Sequence, residues 1–230
     1  MTLIPEPARV RLLHLMRIME KFAEPLSSSR IEELTGWPSH TIRKDVSCLN
    51  GEGETGRAHG HLGGNCGYEP RLLVPAIRGA LGLDKERKFC VVGLGRLGSA
   101  FLNEEISGSL EPEFSLGGEF KLAAGFDKNV NRVEILKSAV PLYPAYKIEE
   151  VVSRFGIEIA ILCVPAAEAQ ASAEKLAAAG IRGILNFAPI PLRLPPEIVV
   201  RNVFILDELR ELAIHIVPPG REPEEICKEI

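Results

Sequence analysis

Apolar residues recur at helical spacing near the start of the chain. They are Leu12, Leu13, Leu15, Met16, Met19 and Phe22. This spacing predicts an amphipathic first helix that ends before Pro25, because proline cannot continue a helix. A second short helix is expected after a run of three serines, with Ser29 and Glu32 spaced as a capping box. Gly36 follows it and is typical of a residue just past a helix end.

A third helix is predicted after the turn at residues 37–39, from His40 to about Leu49, with Ser39 as its cap. A short helix, a glycine-containing turn and a second helix together predict a helix-turn-helix. The third helix buries one stripe and leaves a polar face, formed by His40, Thr41, Arg43, Lys44 and Ser47. Arg and Lys suit guanine edges and phosphates, so this face is a candidate for DNA binding. The alternative is a solvated face of a small helical domain.

Residues 50–67 contain seven glycines, together with Arg57, His59 and His61. The segment is interpreted either as a β-wing lengthened into a basic loop, with Arg57 as a further DNA contact, or as a plain loop. Cys48 and Cys66 lie close by in sequence, but they lack the paired short spacing of a zinc site. No metal site is therefore expected. A helix over residues 71–83 is predicted to lead into a second module.

The second module begins with an apolar strand, residues 89–92, followed by a glycine-rich turn and a helix. This turn is formed by Gly93, Leu94, Gly95, Arg96, Leu97 and Gly98. A strand before G-x-G-x-x-G and a helix after it are typical of a dinucleotide site, in which the glycines let the backbone approach the pyrophosphate. Strand–helix packing without a ligand is the alternative.

A second strand, residues 121–126, ends at Asp127. A carboxylate there binds the adenosine ribose hydroxyls and repels a 2′-phosphate, which favours NAD(H) over NADP(H). Lys128 follows directly and weakens that exclusion, and residues 107–119 are interpreted as an inserted loop.

Strand and helix patterns then alternate to the end of the chain. Helices are predicted over residues 148–155, 166–179 and 207–216, and strands over 157–164, 181–187 and 203–206. Repeated βα units predict an α/β fold with a doubly wound parallel sheet. Such sheets bind ligands at the carboxyl ends of their strands, which makes Val164, Pro165, Phe187, Ala188 and Pro189 candidate cofactor contacts.

Composition and charge fit a globular protein with two modules. The chain has 230 residues, of which 46% are hydrophobic and 25% charged, and a net charge of −4. Residues 1–80 carry a balance of +1 and the rest −5, so only the first module favours a polyanion. Five widely spaced cysteines give no disulfide pattern. The sequence shows no membrane span and no secretory signal, so a cytoplasmic location is expected.

A catalytic apparatus is not evident in the second module. His215 is its single histidine, and it falls in the last amphipathic helix. Tyr143 and Lys147 have the spacing of a short-chain dehydrogenase pair, but Pro144 interrupts the helix that this pair requires. A module that binds a nucleotide without converting it is therefore favoured over a small NAD-dependent oxidoreductase, and no catalytic residue is assigned.

The chain resembles the Rex family of redox-sensing transcriptional repressors along nearly its full length. The likeness is carried by residues 4–6, 41–47, 67–68, 93–98, 126–127, 164–167 with Gln170, and 180–189. The resemblance implies a homodimer with an N-terminal winged helix and a C-terminal Rossmann domain whose final helix swaps onto the partner. It further implies a palindromic DNA operator that is bound when NAD⁺ dominates and released when NADH accumulates. A CoA-binding regulator is a further alternative.

The resemblance sets an expected organisation and three departures from it. Residues 1–84 are expected to form the winged-helix DNA-binding domain, 85–206 the Rossmann NAD(H)-binding domain, and 207–230 the C-terminal helix and tail. The family wing is shorter and contains Phe. Glu104 stands where the family usually has a Tyr near the nicotinamide, and Phe204 stands where an Asp usually pairs with the arginine that Arg17 matches. The redox switch is therefore expected to differ most from the family pattern.

Overall fold

The computed structural model describes residues 4–50, 67–102 and 119–216. The chain divides into two compact units, Met1–Glu86 and Arg87–Ile230. The division lies close to the boundary that the sequence predicts after residue 84. None of the helices in the described ranges is long and apolar enough to cross a membrane.

The first unit is built from four helices around one apolar core. They are α1 (Glu6–Met19), α2 (Ser28–Thr35), α3 (Ser39–Ser47) and α4 (Pro70–Leu81), and a 3₁₀ turn (Cys48–Asn50) follows α3. All four contribute buried residues, including Leu12 and Met19 from α1, Ile31 from α2 and Leu73 from α4. The predicted helix-turn-helix is α2 and α3.

The caps of the two helices differ in detail from the prediction. The residue that caps α2 is Ser27, whose Oγ accepts a hydrogen bond from the Arg30 backbone at 3.1 Å, so the predicted Ser29–Glu32 capping box is wrong. Glu32 instead accepts from the backbone N–H of Ser39, at 3.0 Å. Ser39 is the first residue of α3 rather than its cap, since Pro38 holds the cap position. Gly36 ends α2 with φ 71°, as predicted.

A bidentate ion pair fixes α3 to α1. Nε and Nη2 of Arg11 donate to the two carboxylate oxygens of Asp45 at 2.6 and 2.9 Å. The Asp45 side chain is 7% exposed and that of Arg11 29%. The carboxylate is thus removed from water, and both of its oxygens are satisfied by one guanidinium. The hydrogen bonds to Asp45, together with its negative charge, raise the pKa of Arg11, so the guanidinium stays protonated.

A short antiparallel bridge joins the backbone that follows residue 66 to the backbone just before α2. The backbone N–H of Tyr68 donates to Leu26 at 2.8 Å, and that of Leu26 donates back at 3.0 Å. A Cβ on Gly67 would lie 2.8 Å from the Leu26 carbonyl oxygen, so glycine is required there. The bridge thus fixes the end of the glycine-rich segment beside Leu26, the residue just before the cap of α2. A wing joins a helix-turn-helix at this position.

The second unit is a six-stranded, wholly parallel sheet. Its strands are β1 (Arg87–Val92), β2 (Phe120–Asp127), β3 (Leu142–Pro144), β4 (Ile159–Leu162), β5 (Gly183–Asn186) and β6 (Val199–Asn202). The strand order is β3-β2-β1-β4-β5-β6, in which the direction of winding reverses beside β1. This is the order of the doubly wound dinucleotide-binding fold, and its ligand crevice lies at that reversal.

In the described part of the second unit, five helices accompany the sheet. They are α5 (Arg96–Ala100), α6 (Val130–Ile135), α7 (Ile148–Phe155), α8 (Ala166–Ala178) and α9 (Ile205–His215). Alternate residues of β1 belong to two apolar cores, one on each face of the sheet. Cys90 and Val92 pack with α7 and α8. Phe89 and Val91 pack with Leu94 on the other face of the sheet.

The end of the chain differs from the prediction by a few residues. The last strand is Val199–Asn202 rather than 203–206, and α9 begins at Ile205, two residues before the predicted start. Leu206 belongs to the helix because the helical period starts directly after the cap residue, Phe204. No residue of α9 is buried.

We predict that Arg11→Met destabilises the first unit by about 2 kcal/mol, because it leaves the carboxylate of Asp45 buried without a partner. Arg30→Met is the matched control, since Arg30 pairs with Glu33 in the open and such pairs contribute less than about 1 kcal/mol. Urea unfolding is followed by the fluorescence of Trp37, the one tryptophan of the chain. Equal midpoints for the two variants would contradict the assigned role of the ion pair.

Candidate dinucleotide site and recognition helix

The glycines of the turn after β1 have three separate tasks. Gly93 has φ 91°, and a Cβ there would lie 2.5 Å from the Cys163 carbonyl oxygen. A Cβ on Gly98 would lie 1.8 Å from the Gly93 oxygen, so α5 can approach the turn only without a side chain. A Cβ on Gly95 meets nothing within 4 Å. The space beside Gly95 is therefore open to a ligand, as expected of the glycine that faces a pyrophosphate.

Asp127 lies at the end of β2 and is bound to this turn. Its Oδ2 accepts a hydrogen bond from the backbone N–H of Leu94 at 2.7 Å, and its Oδ1 accepts from Asn129 at 2.7 Å. Nη1 of Arg132 adds an ion pair to Oδ2 at 3.0 Å. A carboxylate has about four acceptor positions, so three bonds leave about one for a ribose hydroxyl. Asp127 is only 5% exposed, and this single remaining position has to serve the ligand.

Two cations flank Asp127, and the sequence indicated one of them. Nζ of Lys128 pairs with Oε1 of Glu168, in the first turn of α8, at 3.2 Å. Its charge is therefore partly compensated. The other cation, Arg132, lies on α6 and pairs with Asp127 directly, and it was not predicted from the sequence. The sequence feature that indicates it is Asn129, which lies two residues after the end of β2 and caps α6. The helix therefore starts close to the strand end and turns back over it.

The loops after β4 and β5 complete the edge around the glycine-rich turn. Cγ1 of Val164 lies 2.8 Å from where a Gly93 Cβ would stand, so Val164 touches the turn. Pro165 is the residue before α8. The ring of Phe187 packs against that of Phe101, with centroids 5.8 Å apart. The structure thus gathers Gly93, Val164 and Phe187 at the carboxyl edge of the sheet, where the sequence predicted the cofactor contacts.

A fully buried asparagine shapes the loop of residues 187–190, which follows β5. Oδ1 of Asn186 accepts from the backbone N–H of Ala188 at 3.0 Å, and its Nδ2 donates to the Ile190 carbonyl at 2.8 Å. Further on, Gln170 forms a pair of hydrogen bonds with the backbone of Arg193, at 2.8 and 3.0 Å. Two side-chain amides therefore hold this loop and its continuation in place.

The two cysteines in the described part of the second unit, Cys90 and Cys163, are not candidates for thiolate chemistry. Burial raises the pKa of Cys90 to about 12 and that of Cys163 to about 11, so both thiols are protonated at neutral pH. Cys66, His59 and His61 lie outside the described residues. Within the described ranges no group of three His, Cys, Asp or Glu side chains is placed to hold a metal ion.

The pair with dehydrogenase-like spacing is not on one helix. Tyr143 lies in β3 and Lys147 in a 3₁₀ turn that precedes α7. His215 lies at the end of α9, where its Nδ1 is 2.7 Å from the Glu211 carbonyl oxygen. The placement of Tyr143 and Lys147 agrees with the expectation drawn from Pro144.

The polar face of α3 is where the sequence predicts it. His40, Arg43, Lys44 and Ser47 are exposed and Thr41 is half-buried. The opposite side buries Ile42, Asp45 and Val46. The Arg43 guanidinium lies 3.3 Å from Ser39 Oγ, one turn back along the helix. Arg57, the further predicted DNA contact, lies outside the described residues, as does Glu104.

Arg43 also acts electrostatically on the base of the glycine-rich segment. Burial raises the pKa of the Tyr68 phenol, and the positive charge of Arg43 opposes that rise. The recognition face and the bridge at Tyr68 therefore lie near each other within the first unit.

The chain matches a protein-family profile over part of its length and is similar to individual known proteins over most of it. Residues 84–190 match the profile of a family described as CoA binding domain. Over its length, the chain is 35% identical across 221 residues to a redox-sensing transcriptional repressor Rex of Thermus thermophilus, covering 94% of this chain and 95% of that protein. A Rex of Limosilactobacillus fermentum is 31% identical over 191 residues, which cover 83% of this chain and 81% of that protein.

Solved structures similar to the chain include those of RSP, described as a Rex-family repressor. RSP in complex with β-NAD⁺ and operator DNA superposes with a TM-score of 0.77 at 28% identity, covering 94% of this chain and 93% of RSP. RSP in complex with β-NADH gives a TM-score of 0.74 at 27% identity, covering 94% and 95%. The likeness therefore includes both units.

Two glycine substitutions are expected to separate ligand binding from folding. Gly95→Val places its side chain in open space, so we expect NADH binding to be lost with little change in the melting temperature. Gly98→Ala forces its Cβ into the Gly93 carbonyl and is expected to destabilise the second unit by about 1–3 kcal/mol, as overpacking does. Calorimetric titration with NADH and thermal unfolding by circular dichroism measure the two effects. NADH affinity unchanged in Gly95→Val would contradict the assigned path of the pyrophosphate.

Proposed function

The chain belongs to the Rex family of redox-sensing transcriptional repressors, and we propose that it is a DNA-binding repressor that senses the ratio of NADH to NAD⁺. The observation that carries this function is that one chain combines a dinucleotide-binding sheet with a helix-turn-helix. A sheet of dinucleotide-binding order leaves open space beside Gly95, and a separate unit exposes Arg43 and Lys44 on a helix-turn-helix. The named activities of the relatives support the same pairing of nucleotide and DNA.

The cofactor proposed for the second unit is NAD(H), held at the carboxyl edge of the sheet. The residues proposed to contact it are Gly93, Leu94, Gly95, Arg96, Leu97, Gly98, Asp127, Lys128, Val164, Pro165, Phe187, Ala188 and Pro189. The glycine-rich turn would hold the pyrophosphate, and Asp127 a ribose hydroxyl. The nicotinamide would then lie toward the loops after β4 and β5. The cofactor's own chemistry, a two-electron change at the nicotinamide, supplies the signal.

Selection against NADP(H) rests on the crowding of Asp127. A 2′-phosphate would bring negative charge against a carboxylate that already uses three of its about four acceptor positions. Arg132 and Lys128 would offset part of that repulsion, but each is already paired with a carboxylate. NADH is therefore the expected ligand, with NADPH bound more weakly.

DNA recognition is proposed for the exposed face of α3. His40, Thr41, Arg43, Lys44 and Ser47 would enter the major groove, and Arg57 would add a contact from the glycine-rich segment. The buried Arg11–Asp45 ion pair holds α3 from behind, so the face is rigid before DNA binds. A preorganised helix loses less conformational entropy on binding.

The proposed active form is a homodimer that binds a palindromic operator. The apolar side of α9 is exposed, and its largest residues are Ile205, Leu206, Leu209, Leu212 and Ile214. Ile205, Leu209 and Leu212 recur at helical spacing and form one stripe that no residue of the described chain covers. A second copy of the chain is the proposed cover, which would give two-fold symmetry to match a palindrome.

The relatives named as repressors argue against the alternative of an NAD-dependent oxidoreductase. The match to a CoA binding domain concerns residues 84–190 and does not extend to the helix-turn-helix. The Rex relatives cover both units, which favours NAD(H) over CoA as ligand. A repressor acts on chromosomal DNA, so we propose a cytoplasmic location in a bacterial cell.

The decisive experiment compares operator binding under the two redox states. A palindromic duplex is selected from random-sequence DNA by the protein with NAD⁺, and its Kd is then measured with saturating NAD⁺, NADH, NADPH or CoA at one salt concentration. We expect NADH to raise the Kd, by less than about 100-fold because Phe204 has no carboxylate to form an ion pair with Arg17. NADPH and CoA are expected to act weakly. Equal Kd values with NADH and NAD⁺ would contradict the proposed function.

Arg43→Ala and Lys44→Ala are each expected to weaken operator binding and leave NADH binding intact. Loss of an arginine that contacts a base costs about 1–3 kcal/mol and relaxes specificity, whereas loss of a lysine that contacts phosphate flattens the salt dependence. Lys175→Ala removes an exposed charge from α8 of the second unit and serves as the matched control. Unchanged DNA affinity in both α3 variants would show that this helix does not read the operator.

Leu209→Glu is expected to prevent dimerisation, because it places a charge in the centre of the apolar stripe of α9. Glu211→Lys alters a charge on the other side of the same helix and is expected to leave the dimer intact. Sedimentation velocity at several protein concentrations measures both variants. A stable dimer of Leu209→Glu would exclude the stripe as the interface.

A further inference from the structure

A side-chain hydrogen bond joins the loop of residues 187–190 to the strand that leads into α9. Nδ2 of Asn186, the last residue of β5, donates to Oδ1 of Asn202 at 2.9 Å. Asn202 is the last residue of β6 and lies opposite Asn186 in the parallel register. A backbone bond from Val203 N–H to the Asn186 carbonyl, at 2.8 Å, strengthens the same junction. Only Val203 and Phe204 separate Asn202 from α9.

Asn186 thus has partners in two different places. Its Oδ1 and one of its amide hydrogens hold Ala188 and Ile190, in the loop proposed to contact the cofactor. The second amide hydrogen holds Asn202, beside the proposed dimer helix. The residue is 0% exposed, so water cannot replace a partner that moves away. A buried amide without its partner costs about 1–3 kcal/mol.

We propose that Asn202 is a positioning residue of the redox response, because its bond to Asn186 transmits the position of the 187–190 loop to the start of α9. This inference rests on the proposed function. A cofactor that displaces the loop must either break a hydrogen bond of a fully buried amide or move Asn202 with the loop. Moving Asn202 shifts the origin of α9, which carries the proposed dimer stripe. The redox state of the nicotinamide would therefore act on the proposed dimer helix through this bond.

The two ends of the bond differ in a way that makes the inference testable. Asn186 is buried and has three partners, so its replacement would damage the loop itself. Asn202 is exposed and lies at the end of an edge strand. Replacing Asn202 removes the side-chain link and leaves in place the backbone bond from Val203 and the bonds of Asn186 to Ala188 and Ile190.

The test measures a coupling factor, the operator Kd with NADH divided by that with NAD⁺, in the full-length protein. Asn202→Ala is expected to lower this factor by about fivefold, or to unity, since allosteric couplings of this kind are about 5–150-fold. The Kd for NADH is expected to change by less than about twofold, because the cofactor contacts remain. Asn202→Asp keeps an acceptor for Asn186 and is expected to retain the wild-type factor. Val199→Ala, an exposed residue of the same strand, is the matched control.

The outcomes separate this inference from the proposed function. A wild-type coupling factor in Asn202→Ala overturns the inference and leaves the proposed function standing. Loss of coupling in Asn202→Asp equal to that in Asn202→Ala also overturns it, since the acceptor is then irrelevant. A factor of unity in the wild-type protein overturns the proposed function first. If Asn202→Ala melts more than a few degrees below wild type, Asn202→Ser, whose hydroxyl is too short to span the bond, replaces it with the same expectations.

Discussion

The approach of α5 to the carbonyl oxygen of Gly93 is the constraint on which the nucleotide site depends. The helix can start there only because residue 98 lacks a side chain, and this start fixes the path of the turn. Asp127 then binds the turn through the Leu94 amide, which ties the end of β2 to the end of β1. The turn and the carboxylate are therefore in position before any ligand arrives. A ligand that meets a preformed site gives up less of its binding energy to ordering the protein.

The buried polar side chains lie at three positions in or beside the proposed sites. In the described part of the chain, the buried charged or polar residues are Asp45, Asp127 and Asn186. Asp45 fixes the recognition helix, Asp127 fixes the glycine-rich turn, and Asn186 fixes the loop after β5. Each is satisfied by hydrogen bonds from another element, as a buried polar group must be. Apolar packing forms the two units, and these three polar contacts determine how the parts of the proposed sites are oriented.

The elements that follow from local pattern could be predicted from the sequence, and the contacts across elements could not. Helical and strand periodicity indicated α1, α3 and the order of βα units, and the glycine pattern indicated the turn beside Asp127. The capping residue of α2 was misjudged because three adjacent serines offer equal caps, and packing selects Ser27. Arg132 was missed because the short helix that brings it back to Asp127, five residues earlier, was not predicted. The Asn186–Asn202 bond was missed because its partners become neighbours only through the sheet register. The strand before α9 was placed late because the apolar run at 203–206 continues into the helix.

The uncovered stripe of α9 has a consequence for the amount of protein in the cell. If two copies must pair to place two recognition helices on one palindrome, operator occupancy depends on the square of the monomer concentration whenever that concentration lies below the dimer Kd. Halving the number of molecules then lowers occupancy about fourfold at low saturation, without any change in cofactor ratio. In the proposed dimer, the apolar side chains at Leu209 and Leu212 would thus make gene dosage a second input to repression.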